Sequence, residues 1–226
     1  MPFEDLAARV DDVRRRIDDA ARRGGHGQRV TLVAVTKTHG PEAPRAAWAA
    51  GIEDVGENKV QEATAKMGQV EQPLRWHLIG HLQRNKVRHL PDFHLFHAMD
   101  SARLADAVHG VGSAAGRPID VLVQVNVVGE ETKGGFSLAE LEREAERLRG
   151  LSGLRVLGAM TMAPLDADEA LLRRVFAGCR AARDCLRAAG HPATELSMGM
   201  TNDFEIAVEE GATLVRLGTV LFGARA

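Results

Sequence analysis

The sequence predicts an α/β protein, a single domain spanning residues 1–226 and folded as a (β/α)8 TIM barrel with an extra helix at its N-terminus. Three observations predict it. Eight short apolar runs recur along the chain, helical patterns with their own start signals separate them, and the runs follow one another at about 26 residues between positions 31 and 213. That interval is close to the roughly 30 residues of a βαβ unit. Eight such units close naturally into a barrel, although 226 residues lies at the short end of the roughly 200 to 400 usual for that fold. An open doubly wound sheet is the competing architecture. Against it, the first strand-to-helix turn, THGPEAP, has no G-x-G-x-x-G phosphate fingerprint.

The first element is a helix over residues 3 to 23, with Phe3, Leu6, Val10, Val13 and Ile17 on one stripe. The strands then read as LVAV at 32, IEDVG at 52, WHLIG at 76, FHLFHA at 93, DVLVQVN at 120, RVLGAMTM at 155, ELSMG at 195 and TLVRLG at 213. Runs apolar on both faces suit the doubly covered strands of a parallel sheet. Between them, Ser101 caps a stripe of Leu104, Val108 and Val111, and SLAE at 137 makes a capping box ahead of Leu141, Ala145 and Leu148. Asp166 or Asp168 starts the helix that carries Leu171, Leu172, Val175 and Phe176. No linker or low-complexity segment interrupts the series. The chain stops within ten residues of the eighth strand, which leaves no second domain.

Composition narrows the function. A hydrophobic content of 45% is enough for a full core, and 29 basic against 31 acidic residues give a net charge of -2. That balance offers no electrostatic case for nucleic acid or an anionic membrane. WHLIGHLQRNKVRH mixes Trp76 with basic residues, but WHLIG reads as a core strand and the basic residues fall on the helix after it. No apolar window approaches a spanning length, and the N-terminus is amphipathic with early acids rather than a signal peptide. Cys179 and Cys185, six apart in one helical stretch, form neither a metal pair nor a disulfide. A reducing cytoplasm is the expected location.

In a barrel of this kind the chemistry gathers at the C-terminal strand ends. Those ends carry Lys37, Glu57, Asn58, His77, His81, Asp100, Asn126, Thr161, Ser197 and Arg216. LSMGMTND, 196 to 203, runs through Ser197 and Gly199 into a helix starting at Thr201 or Asn202, and RLGTVLFGAR, 216 to 225, does the same through Gly218 and Thr219. A glycine-relaxed turn opening a helix presents N–H groups to a phosphate. Each turn taken alone also fits a plain tight connection. A strand-end lysine opposite a phosphate cradle suggests either a sugar phosphate held as a Schiff base or pyridoxal 5'-phosphate. Arg216 favours the second, because a permanent cation suits a pyridine nitrogen acting as an acceptor. Lys37, on an apolar stem at the barrel mouth, is placed to be desolvated and nucleophilic.

Other candidates have plainer readings. His77 and His81 fit catalytic bases or, more simply, hydrogen-bonded structural roles. Glu57 fits an acid or a helix-start carboxylate, and Lys133 in ETKGG fits a solvated rim position. His94, His97 and Asp100 lack metal-ligand spacing, so no metal is expected.

The strings GIEDVGENKVQEA at 51, WHLIGHLQRNKV at 76, VLVQVNVVGEETKGGF at 121, LGAMTMAP at 157 and LSMGMTNDFEIAVEEGATLVRLGTVLFGAR at 196, with LVAVTKTHGPE at 32, carry a nearly end-to-end resemblance. The chain resembles the YggS/PROSC family of pyridoxal phosphate homeostasis proteins, which are related to the barrel domain of alanine racemase. The resemblance implies a barrel of the PLP fold type III kind, with Lys37 carrying the internal aldimine. It further implies that Arg216 faces the ring nitrogen, that Ser197, Gly218 and Thr219 hold the phosphate, and that Asn58 lines the pocket. The departures are small: Thr36 stands where relatives often have serine, and His39-Gly40-Pro41 where they often have Lys-Pro after the lysine.

The resemblance also frames the choice between enzyme and carrier. Alanine racemase uses the lysine and a tyrosine from its other domain as two bases, whereas this chain has no tyrosine at all. An arginine at the pyridine nitrogen leaves that nitrogen unprotonated and weakens it as an electron sink, which disfavours transamination and elimination. The expected function is therefore to bind, buffer and deliver pyridoxal 5'-phosphate without robust turnover, as a cytoplasmic monomer whose partners are the cofactor and pyridoxal-phosphate-dependent apo-enzymes. The alternatives are a weak pyridoxal phosphate enzyme, of racemase or lyase type, with a histidine as second base, and a Schiff-base lyase acting on a phosphorylated sugar.

Overall fold

A computed structural model of the chain describes residues 3–130 and 134–223. Eight parallel strands close into a barrel in strict sequence order: β1 (Thr31–Val35), β2 (Asp54–Glu57), β3 (Arg75–Leu78), β4 (Leu95–Met99), β5 (Ile119–Gln124), β6 (Leu154–Met160), β7 (Glu195–Ser197) and β8 (Leu214–Leu217). The barrel closes where Thr31 to Ala34 of β1 pair with Leu214 to Leu217 of β8. β1, β2, β4 and β8 are buried along almost their whole length. Covered by helices outside and packed side chains inside, they are mostly apolar, and the polar residues they bury are Asp54 and Glu57 on β2, His97 on β4 and Arg216 on β8.

The helices follow the sequence signals closely. α1 (Leu6–Gly24) buries Leu6, Val10, Val13, Ile17 and Ala20. Phe3 lies ahead of this helix rather than on its stripe, because its backbone has φ 74°; its ring instead meets His39 and Phe222, with centroids 5.5 and 5.2 Å away. α1 packs on α7 (Phe204–Glu209), where Arg16 reaches Glu205 Oε1 at 2.6 Å and its guanidinium lies 4.7 Å over the Phe204 ring. α2 (Glu42–Ala49) and α3 (Val60–Met67) follow β1 and β2. Ser101 caps α4 (Ala102–Ala114), and Ser137 and Glu140 form the complete capping box of α5 (Leu138–Arg149). Of the two aspartates considered for α6 (Glu169–Ala188), Asp168 is the cap, accepting from the Leu171 N–H at 2.8 Å. Cys179 and Cys185 both lie on α6 and are free thiols. The last element is α8 (Thr219–Phe222).

One unit departs from the repeat. The connection after β3 is a 3-10 segment over Arg84–Asp92, not an α-helix. Pro91 lacks the N–H and would clash with the preceding turn of an α-helix. The two buried residues, Val87 and Leu90, are three apart, the spacing that a 3-10 helix places on one side. Among the described residues, no helix is long and apolar enough to cross a membrane. Lys133 lies outside the described residues.

Candidate functional site

A cavity of about 880 Å³ opens at the C-terminal mouth of the barrel, within the range of small-molecule sites. Five of the polar strand-end residues line it: Lys37, Asn58, His81, Asp100 and Arg216; Gly218 and Thr219 complete the side above β8. The sequence reading did not single out Gln124, Met162 or Asp203, which also line it, and took Leu172, another lining residue, for part of a helix stripe. Only Gln124 left a signal, as the polar residue that ends the apolar run VLV; its side chain donates to the Gly134 carbonyl at 2.6 Å.

The other strand-end residues lie elsewhere. Asn126 closes its own loop, donating to the Glu130 carbonyl at 2.8 Å and accepting from the Glu130 N–H. Thr161 is buried and donates to the Val125 carbonyl. His77 is buried below the mouth, so the structural reading holds for it, whereas the largely exposed His81 pairs with Asp100 at 2.9 Å. Ser197 does not line the cavity. Its side chain is fully buried beneath it, between Arg216 and His97, so of the three residues assigned to phosphate by resemblance, only Gly218 and Thr219 border the open space. The helix expected at Thr201 or Asn202 starts later, at Phe204. Asp203 accepts from the Met200 N–H and closes a turn first, leaving Thr201 and Asn202 on the cavity wall. Gly199, at φ 95° and with the Phe204 backbone where a Cβ would sit 2.9 Å from its Cα, allows the chain to leave β7 so sharply.

The lysine at the end of β1 is held by its neighbours. Thr36, just before it, is fully buried, and its hydroxyl donates to Glu57 Oε1. This is the function a serine would also serve at that position. Glu57 is not a helix-start carboxylate: it is the last residue of β2, fully buried, and α3 begins three residues later. Lys66 of α3, also buried, donates to Glu57 Oε1 at 2.7 Å, to the Thr36 carbonyl at 2.8 Å and to Glu62 Oε1 at 2.8 Å. Glu62 in turn accepts from the Thr38 N–H at 2.6 Å. The backbone on both sides of Lys37 is thus tied to one buried ion network. Thr38 has φ 70°, an unfavourable conformation for a β-branched residue that persists only where surroundings impose it.

Arg216 is the second unusual cation. It is buried, and desolvation pushes its pKa down to about 10. Its guanidinium donates to Ser197 Oγ and, at 3.0 Å, to the Thr161 carbonyl, and no carboxylate forms an ion pair with it among the described residues. A desolvated cation bordering a cavity without a carboxylate partner suits an acceptor brought in by a ligand. Since Arg216 pairs with Val33 across the β8–β1 seam, the arginine stands on the strand next to the one that leads into the turn carrying Lys37. A phosphorylated aromatic aldehyde fits this set: an amine, a cation without an anion, and the opening turn of α8, whose first N–H groups have no intrahelical acceptor.

Several histidines are held neutral by the fold. His97 is pushed well below the ordinary histidine value chiefly by burial, and burial also lowers His94 and His191. In the unfolded chain each takes its proton near pH 6.5. Their contribution to stability is therefore complete above that value and is lost as pH falls through the folded values. Glu57, raised by burial, acts oppositely and favours folding at low pH. Asp203 is raised by burial in the same way, but three histidines outnumber the two carboxylates, so the melting temperature is expected to fall between about pH 6.5 and pH 5, which thermal melts across that range measure; a flat or rising profile would contradict the assignment of neutral histidines.

Comparison with known proteins agrees with this geometry. The alanine racemase N-terminal domain family matches residues 9–226. The pyridoxal phosphate homeostasis protein of Aquifex aeolicus is 41% identical over 221 residues, covering 96% of this chain and 97% of that one; its counterpart in Pseudomonas aeruginosa is 39% identical over 223 residues, covering 97% and 96%. PipY of Synechococcus elongatus, solved with pyridoxal phosphate bound, is 36% identical with a TM-score of 0.86, covering 96% of this chain and 100% of that one. Alanine racemase from Corynebacterium glutamicum, at 16% identity and a TM-score of 0.75 over 99% of this chain and 61% of its own, shares the fold alone. A barrel with a lysine at the end of β1, a buried arginine on β8 and full-length similarity to these relatives belongs to the pyridoxal phosphate homeostasis protein family, built on the alanine racemase N-terminal domain.

Proposed function

We propose that this protein binds pyridoxal 5'-phosphate in the cavity at the barrel mouth, holds it as a Schiff base on Lys37, and serves to buffer the free cofactor and pass it to apo-enzymes. The observation that carries the reading is the convergence of Lys37, Arg216, Gly218 and Thr219 on one cavity. When bound, the cofactor supplies an aldehyde that condenses reversibly with an amine. The chain supplies the rest. Lys37 provides the amine, Arg216 donates to the pyridine nitrogen, and Gly218 and Thr219 at the start of α8 hold the phosphate. Asn58, next to Glu57 at the end of β2, lines the wall. A cation at the ring nitrogen keeps that nitrogen from accepting a proton, which suits storage better than carbanion chemistry. The protein acts as a monomer in the cytoplasm on this reading.

The test is an absorbance spectrum of the purified protein with added cofactor, before and after borohydride reduction, followed by peptide mass mapping. A visible band that bleaches, with a pyridoxyl group retained on Lys37, is expected. A colourless protein that takes up no cofactor would refute the reading and bring the sugar-phosphate alternative forward.

A second reading rests on one contact. His81 pairs with Asp100 at 2.9 Å, and both line the cavity, so His81 could serve as a second base in a weak racemase or lyase. Steady conversion of an amino acid by the loaded protein, abolished in His81→Ala while the visible band remains, would establish it.

A further inference from the structure

We infer that His97, His77 and Asp54 are positioning residues for Arg216: with Ser197 they form one directed chain of hydrogen bonds through the barrel interior that fixes how the guanidinium is presented to a ligand in the cavity. The inference rests on the pyridoxal phosphate reading for the identity of that ligand, but the chain itself is a property of the protein alone.

The links are continuous. Arg216 donates to Ser197 Oγ, Ser197 Oγ lies 2.8 Å from His97 Nδ1, His97 Nε2 lies 2.8 Å from His77 Nδ1, and His77 Nε2 lies 2.9 Å from Asp54 Oδ1. Asp54 then takes Arg75 Nε and Nη2, each at 2.7 Å. These residues come from β8, β7, β4, β3 and β2. The contact between β4 and β7, which are not neighbours in the barrel, can only cross its interior. The chain runs from the cavity wall down to Asp54 and Arg75, the first residues of β2 and β3, at the opposite end of the barrel. Barrel interiors are ordinarily filled by branched aliphatic layers, and a buried polar run is costly unless each donor meets an acceptor.

With His77 neutral, donor and acceptor counting fixes every proton. Burial opposes the charge on Asp54, but hydrogen bonds from Arg75 and His77 outweigh it and hold the carboxyl well below its ordinary range, so it can only accept, and His77 Nε2 must carry the hydrogen. A neutral His77 then accepts at Nδ1, which requires N–H at Nε2 of His97. His97 accepts at Nδ1 from the Ser197 hydroxyl, and Ser197 Oγ is left to accept from Arg216. The order runs without a break from cation to anion. The other charged or titratable groups facing it are His94, whose ring centroid is 5.3 Å from that of His77, and Asp203 and Cys179, which act electrostatically on Arg216. If Asp54 no longer fixes the His77 hydrogen, His77 can carry it on Nδ1. His97 must then reverse its tautomer and donate to Ser197 Oγ, and the Ser197 hydroxyl must turn away. A change at the bottom of the barrel thereby reaches the group that meets the ligand.

Two measurements test this. The first, on the protein without added cofactor, is the nitrogen-15 NMR tautomer of His97: hydrogen on Nε2 and a bare Nδ1 are expected, and hydrogen on Nδ1 would overturn the chain whatever the ligand. The second compares cofactor affinity and the pH midpoint of the visible band in wild type, Asp54→Asn, His77→Gln and Val121→Ala, the last a core substitution outside the chain. Asp54→Asn and His77→Gln are expected to weaken binding about tenfold, equivalent to about 1.4 kcal/mol, and to move the midpoint, whereas Val121→Ala lowers only thermal stability. Either chain variant folding with an unchanged midpoint and affinity would overturn the positioning role, as would an equal shift in Val121→Ala. If neither chain variant folds, the tautomer measurement decides. A wild-type protein with the assigned tautomer that binds no pyridoxal phosphate would instead overturn the proposed function, and the ligand role with it.

Discussion

Lys37→Ala is expected to remain colourless when mixed with pyridoxal 5'-phosphate and to leave no reducible adduct after borohydride. Alanine has no amine, and the buried lysine close by, Lys66, has its ammonium engaged by Glu57, Glu62 and the Thr36 carbonyl. It therefore cannot substitute. Arg216, Gly218 and Thr219 remain, so the expected residue is weak, non-covalent binding, reduced at least about a hundredfold, or about 2.7 kcal/mol, in equilibrium dialysis. Folding is expected to be spared: Lys37 is only half-buried, and such positions usually cost less than about 1 kcal/mol. A Lys37→Ala protein that keeps a bleachable visible band would show that the attachment point lies elsewhere.

The largest stability effect is expected at Lys66, not in the apolar core. Lys66→Met is predicted to destabilise the protein by about 3–5 kcal/mol, because it leaves a buried carboxylate without its counter-ion. Glu57 is the reason. Its side chain is 0% exposed against 25% for Glu62, so Glu62 can turn to water and Glu57 cannot. Glu57 already has its pKa raised by burial, an effect that the hydrogen bonds from Lys66 and Thr36 oppose. Pairing Lys66→Met with Glu57→Gln removes both charges and is expected to recover much of the loss. Denaturant unfolding of the single and double variants measures the difference; a single variant within about 1 kcal/mol of wild type would mean that the network contributes little. Because the same ammonium holds the Thr36 carbonyl and, through Glu62, the Thr38 N–H, Lys66→Met is also expected to loosen the backbone around Lys37 and weaken cofactor uptake in the fraction that folds.

Lys66 shows where sequence reading stopped. In VQEATAKM nothing singles it out, and its partner Glu57 fits an acid or a helix-start carboxylate equally well. Both are buried because β2 ends at Glu57 and α3 folds back over it, a register that the run DVGENKV does not disclose. The histidines were misleading for a similar reason. His77 and His81 are four residues apart and equally polar, yet one is sealed inside the barrel and the other lies exposed at its rim. Strand alternation gives inward and outward faces, but it does not say at what depth a side chain meets one from across the barrel.

What the sequence determined by itself was the barrel: eight apolar runs at nearly constant spacing, caps at Ser101 and Ser137 and at one of Asp166 and Asp168, and a lysine and an arginine near the ends of the first and last strands. These features follow from local propensity, periodicity and short-range hydrogen bonds, all encoded within a few residues of each other. The motif strings also carried the family. Only the tertiary structure decided which strand-end groups face the cavity, that Ser197 serves Arg216 from below, that Lys66 clamps the turn at Lys37, and that a chain of protons runs from Arg216 to Asp54. They depend on contacts between different elements, the longest joining His97 and Ser197 across 100 positions, and burial turns them from weak surface pairings into strong constraints, because an interior polar group without a partner is too costly to keep.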